Sequence, residues 1–158
     1  MADDVVGSPW LVEAAQRDRL RLERARDLLR QRQFQAAMVE LEELLDESPD
    51  HIGALSHLAS AAMELGDFAL GAACLEHLDE LQPLSPMNVL RWARCAFESV
   101  DLETAARLAD QVIELAPDLS EAWFLRGLCA DHLAPDTASR YFEAAWLRSP
   151  LHHPLPFT

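Results

Sequence analysis

Side chains able to hold a metal or move a proton are few and scattered in this 158-residue chain. Cys74 and His77 stand three apart, a helical spacing that lets both reach one ion, but tetrahedral zinc needs four ligands and no others are near. His152 and His153 are adjacent in a proline-rich end and read as solvated, and Asp131-His132 is isolated. Glu42-Glu43 and Asp79-Glu80 are neighbours in sequence, so on a helix they diverge by about 100° and cannot work as an acid–base pair. There is no HExxH, no paired CxxC, no glycine-rich phosphate loop and no GxSxG. The expectation is a chain with no catalytic residue, no metal site and no cofactor: not an enzyme.

The elements that carry these residues repeat. Pro49, Pro83, Pro117 and Pro150 are separated by 34, 34 and 33 residues. Three positions beyond each of the first three prolines a new segment opens, at Ile52, Pro86 and Ser120, with Asp18 as the earlier counterpart. Mid-unit turns follow at Arg32-Gln33-Phe34, Gly66-Asp67-Phe68 and Val100-Asp101-Leu102; the fourth unit, Leu133 to Asp136, is one residue shorter. Small residues come next (Ala37, Gly71, Ala105, Ala138), then apolar ones four positions on (Leu41, Leu75, Ala109, Phe142). Each unit holds two runs of about 14 residues with apolar positions at i, i+3, i+4 and i+7, the period of an amphipathic helix. Proline ends the second run of each unit, because it cannot continue the backbone ladder. Ser85-Pro86 and Ser8-Pro9 read instead as helix starts, so the first helix is expected from Pro9 to about Gln31.

A fixed period of this size signals stacked helical units. Trp123-x2-Arg126-Gly127-x2-Ala130, then Ala138-x3-Phe142 and Pro150, resembles the tetratricopeptide repeat, and the runs from Leu55 and Val89 are degenerate copies. The resemblance implies an all-α fold, an α-solenoid in which antiparallel helix pairs wind into a right-handed superhelix. It places an N-terminal extension and cap at 1–17, repeats at 18–51, 52–85, 86–119 and 120–150, and an extended tail at 151–158. It also implies a protein–protein interaction module, an adaptor or chaperone-like, with a regulatory or docking domain for an enzyme and a homodimeric scaffold as alternatives.

Composition narrows the partner. Net charge is −14, and all 13 basic residues are arginine, a bias expected of a GC-rich bacterial genome. Seven arginines crowd Arg17 to Arg32, whereas Gln33 to Leu90 carries 11 acids and no base. A nucleic-acid binder or a protein on an anionic membrane needs a basic face, so both are disfavoured. The acidic start lacks the order of a signal peptide, and three cysteines at helical positions make a poor disulfide framework. The location expected is the cytoplasm.

In tetratricopeptide proteins the first helix of each repeat lines a concave face. Carried over, the groove comprises Arg19, Leu22, Arg26, Leu29, Arg30, His57, Met63, Leu90, Arg91, Arg94, Phe97, Phe124 and Leu128. Arginines flanking an apolar strip suit an amphipathic, partly acidic protein or peptide segment. A chaperone-tail clamp is not expected: at its positions stand Leu22, Arg26, His57, Met87 and Arg91, and only Arg91 fits. Tyr141, Phe142, Ala145 and Trp146 on the last helix form a second apolar face with no capping helix after it. The tail, a dimer mate or a further docking element is expected to cover it.

Overall fold

The computed structural model describes residues 7–149. Among them are eight α-helices and no strand: α1 (Pro9–Arg30), α2 (Phe34–Glu47), α3 (Ile52–Glu64), α4 (Phe68–Leu81), α5 (Pro86–Glu98), α6 (Leu102–Leu115), α7 (Ser120–Leu133) and α8 (Pro135–Arg148). Three helices start at Ile52, Pro86 and Ser120, where the period put them. The periodic prolines act from just outside: α2, α4 and α6 end two residues before Pro49, Pro83 and Pro117, because proline disfavours the helical conformation of the residue ahead of it.

Helix starts are secured where the sequence supplies an acceptor. Ser85 Oγ accepts from the Asn88 amide at 3.4 Å, Asp101 Oδ1 from Thr104 at 3.2 Å, and His51 Nδ1 from Ala54 at 3.1 Å. Ser8 stands at the cap of α1 with Pro9 behind it but makes no side-chain cap bond.

The turns inside the first three repeats share one device. Arg32, Gly66 and Val100, 34 residues apart, have φ of 59°, 79° and 64°. The amide one residue further on reaches back to close each helix: Gln33 to Leu28 O at 2.9 Å, Asp67 to Ala62 O at 2.8 Å, and Asp101 to Ala96 O at 2.9 Å. Glycine accepts this left-handed backbone without strain, and β-branched valine is the worst suited. The shortened fourth turn lacks the left-handed residue altogether; Ala134 is extended (φ −152°) and donates to Ala130 O at 2.7 Å.

The chain divides into two compact units, residues 1–67 and 68–158. In the first, α2 packs against α1 and α3. Ala25, Ala37, Met38, Leu41, Leu44, Leu55 and Leu58 are buried there. The arginine crowd of α1 is absorbed by acids: Arg17 and Arg21 reach Glu47 at 3.5 and 3.0 Å, and Arg24 reaches Glu40 at 3.2 Å. Ser48 Oγ donates to Asp18 at 2.7 Å. Trp10, in the extension expected to cap the stack, is 64% exposed.

The second unit is built on Val89, Leu90 and Ala93 of α5, Leu108 and Val112 of α6, and Ala122 and Leu125 of α7. Its outer edge is locked by a ladder of cations and rings. The Arg148 guanidinium lies over Trp123 at 4.3 Å and Arg126 over Tyr141 at 4.6 Å. Arg126 Nε also donates to Asp110 at 2.8 Å, and Arg148 Nε and Trp123 Nε1 both donate to Pro117 O at 2.8 Å.

Val100 is 78% exposed, so its side chain gains nothing from packing in its strained turn. Val100→Gly is expected to stabilise the fold by about 1 kcal/mol, and Gly66→Val to destabilise it by a similar amount. Chemical denaturation of the two variants checks both signs.

Candidate partner-binding cleft

The first helices of the third and fourth repeats, α5 and α7, bound an open cleft of about 400 Å3. Its lining is Leu90, Arg94, Phe97, Glu98, Glu121, Phe124, Leu125 and Leu128. Five of these are groove residues carried over from the repeat resemblance: Leu90, Arg94, Phe97, Phe124 and Leu128. Leu90 is buried and forms the floor, whereas Phe124 is 52% exposed and stands as a wall. Phe97 stacks at a tilt on His132, centroids 6.3 Å apart. Arg94 is exposed, and no ion pair holds it among the described residues. Arg91 lies apart from this lining, its Nη1 donating to Asn88 Oδ1 at 3.2 Å.

Helical rise orders the charges. Aligned by the repeat, Glu121 lies near the start of α7, Arg94 about 10 Å further along the helix axes and Glu98 beyond it. A single cation therefore sits over apolar floor between two carboxylates. Leu125 also lines the cleft and was not among the expected residues; one turn from Leu128 and adjacent to Phe124, it belongs to both the core stripe and the cleft wall.

The first unit carries the remaining groove residues on its own face. Arg19 and Arg30 are neutralised within α1, by Glu23 at 3.2 Å and by Asp27. Arg32 approaches Glu64 at 4.0 Å. Among the seven arginines of this stretch, only Arg26 has no ion pair to a described residue. Leu22, Leu29, His57 and Met63 are half-buried. Burial, and then the Arg26 guanidinium, push the His57 imidazole below its usual 6.5. Gly53 makes room for Leu22: a Cβ on it would lie 3.3 Å from Leu22 Cδ2.

A second cleft, of about 430 Å3, opens beside Phe124 and is lined by Phe124, Phe142, Ala145, Trp146 and Ser149. Three of the four residues expected on the last apolar face meet here. Tyr141 does not: its ring faces Trp123 at 6.5 Å and Arg126, in the ladder described above. Adjacent helical residues point about 100° apart, and one of the pair 141–142 had to turn away. Phe142 lies against Phe124, centroids 5.6 Å apart. A Cβ on Gly127 would sit 2.7 Å from its ring. In the first repeat the equivalent positions are Ala25 and Leu41, both fully buried; the fourth repeat exchanges the pair for glycine and phenylalanine.

Among the described residues no three His, Cys, Asp or Glu side chains converge on a metal position. No disulfide joins Cys74, Cys95 or Cys129, and burial pushes the Cys95 and Cys129 thiols up, away from the nucleophilic thiolate. No helix among the described residues is long and apolar enough to cross a membrane. The tail at 151–158 lies outside the described residues.

Comparison with known proteins agrees with this architecture. Residues 28–87 match the family model of the tetratricopeptide repeat. No curated protein matches the chain in sequence. A crystal structure of MamA aligns with a TM-score of 0.79 at 17% identity, covering 86% of this chain and 75% of that one. MamA from Desulfovibrio magneticus, from residue 41 to its end, aligns with a TM-score of 0.76 at 19% identity, covering 85% and 76%. YrrB, described as a TPR protein with an unusual peptide-binding site, aligns at 0.72 and 15% identity, covering 84% and 69%. At such identities the likeness is one of fold. Residues 28–87 thus match the tetratricopeptide repeat, and the fold of the chain is all-α and of the solenoid class.

Two outcomes test the geometry. Gly127→Ala should destabilise the fold, since overpacking by about 1–3 kcal/mol exceeds the gain of about 1 kcal/mol in helix propensity. Adding Phe142→Leu recreates the Ala–Leu pair of the first repeat and should restore the melting temperature. For His57, the neutral form is favoured in the fold, so the unfolded chain takes up the proton first as pH falls below 6.5. Stability should drop from that pH downwards, and Arg26→Gln should raise the His57 midpoint in a ring-proton titration. An unmoved midpoint removes Arg26 from this face.

Proposed function

We propose that this protein is a non-catalytic interaction module, an adaptor or chaperone-like protein, that captures a partner segment in the cleft between α5 and α7. One observation carries the reading: an open apolar cleft of about 400 Å3 with the exposed guanidinium of Arg94 in its lining. Apolar side chains left open to water on a helix pair favour burial against a partner. Arginine presents a planar fork that fits a carboxylate with two hydrogen bonds. Glu121 and Glu98 on either side of it oppose further negative charge. The segment that fits carries apolar anchors around one acidic residue, with neutral or basic residues at its ends. This sharpens the expectation of a partly acidic partner to one acid in the middle.

The half-buried face of Arg26, Leu22, His57 and Met63 in the first unit offers a second cation beside apolar surface, and we propose that it contacts partner protein as well. YrrB shows that this fold supports peptide binding. A chain of net charge −14 disfavours nucleic acid as the partner, and a bacterial cytoplasmic setting accords with the arginine-only basic set.

Selection from a displayed peptide library tests the reading. Enriched peptides should place Asp or Glu between apolar residues. Arg94→Glu should weaken them by about 10- to 100-fold, the loss of one charge-assisted hydrogen bond of about 1.5–3 kcal/mol, while Arg140→Glu on α8 leaves them unchanged. Enrichment indifferent to Arg94 would remove the cleft as the binding site.

A further inference from the structure

Within the first unit, α1 and α3 meet in register. Short turns at 31–33 and 48–51 join each of them to α2, so both run antiparallel to it and in the same direction. Leu22 of α1 meets Gly53 of α3, where a Cβ would lie 3.3 Å from Leu22 Cδ2. One turn further along both helices, about 6 Å, the same register sets Arg26 opposite His57. Beyond them Arg32 reaches Glu64 at 4.0 Å. The middle rung of this ladder thus brings together two basic side chains beside half-buried Leu22 and Leu29. We infer that an acidic side chain of a partner protein seats its carboxylate between Arg26 and His57, and that His57 takes up one proton from solvent as it does so. This rests on the reading of the face as a partner contact, and adds what the face recognises and what regulates it.

The neighbouring helices do not supply the acid. Glu64 is the only carboxylate of α3, and Arg32 engages it. In α1, Arg19 and Arg30 engage Glu23 and Asp27, and Asp18 accepts from Ser48 at 2.7 Å. Glu13 is 13 positions from Arg26, about 20 Å along the helix. From α2, Glu40 turns to Arg24 and Glu47 to Arg17 and Arg21, while Glu42, Glu43 and Asp46 are exposed. Among the described residues, the charge that acts on His57 is that of Arg26; burial first, and then this guanidinium, favour the neutral ring. A carboxylate seated on Arg26 cancels the repulsion and attracts the imidazolium, so the ring protonates in the complex at a pH where it is neutral in the free protein. Arg26 supplies a permanent cationic fork, and His57 adds a contact that exists only when protonated. The carboxylate itself stays ionised down to about pH 4. Capture of an acid at this rung therefore tightens as pH falls.

The probe is the blocked tripeptide acetyl-Leu-Asp-Leu-amide, with its Leu-Asn-Leu counterpart as control. Both are titrated into the full chain carrying Arg94→Glu, so that the cleft between α5 and α7 does not hold the carboxylate. The Asp peptide should bind about fivefold or more tightly at about pH 5.5 than at about pH 7.5. The ring-proton midpoint of His57 should rise on binding, and the Asn peptide should change neither quantity. His57→Gln should keep the binding and lose its pH dependence, whereas Arg26→Gln should weaken binding at both pH values. Equal affinity at the two pH values, or a His57 midpoint unmoved by the bound Asp peptide, overturns the proton coupling and leaves the face as a contact. Loss of all binding in the Arg94→Glu chain, where the unaltered chain binds, overturns the rung and leaves the cleft between α5 and α7 as the site.

Discussion

Close approach of helices through alanine is the constraint on which the rest of this molecule depends. Of the 30 buried apolar side chains among the described residues, 15 are alanine, and the others are Leu, Val, Met and Cys. Helices that meet through methyl groups leave no interior space for a ring. Accordingly no Phe, Trp or Tyr among the described residues is fully buried. The rings are displaced to the helix flanks, where Phe97 and Phe124 form cleft walls, Trp123 and Tyr141 stack under arginines, and Trp146 lines the cleft beside α8. The exposed apolar surface that suits a partner is thus a consequence of how the core is packed. Enlarging the core alanines would push helices apart and flatten those walls.

Charge obeys a parallel logic. No polar or charged residue among the described ones is buried, so electrostatics acts wholly at the surface. Exposed ion pairs each contribute little, about 0–1 kcal/mol, yet they determine which cations remain available. Acids of α1, α2 and α3 engage six of the seven arginines between 17 and 32, leaving Arg26. In the second unit Arg126 and Arg148 are held by rings and carbonyls, and Arg94 stays over the cleft. A cluster that looks strongly basic in sequence becomes, once folded, a set of ion pairs with one cation, Arg26, left over.

Much of this was legible in the residues. The proline period and the helical spacing located the starts of α3, α5 and α7 to the residue, and the missing residue of the fourth turn was visible as a shortened repeat. Five of the eight cleft residues were likewise readable, because repeat register carries a lining position from one helix to the next. The rest depended on geometry that spacing does not encode. Val100 occupies a left-handed position that sequence alone would assign to glycine, since its neighbours in the turn dictate the backbone there. Tyr141 and Phe142 are both large and aromatic, and only the crossing of α7 and α8 decides which ring enters the cleft. The ion pairs of Arg17, Arg21 and Arg24 join helices whose relative phase no linear pattern gives.

The pair Gly127 and Phe142 shows why the fourth repeat differs from the others. Its equivalents are Ala25 and Leu41 in the first repeat, a small residue facing a medium one. Removing the left-handed residue from the turn lets Pro135 open α8 immediately after the extended Ala134. The larger ring at 142 is admitted only because position 127 has lost its Cβ. Half-buried Phe142 then lies against Phe124, the wall shared by the two clefts. Any residue that displaces Phe142 must therefore move the wall of the cleft between α5 and α7 as well. Shape at the cleft beside α8 and shape at the cleft between α5 and α7 are one packing problem, solved at the shared ring of Phe124.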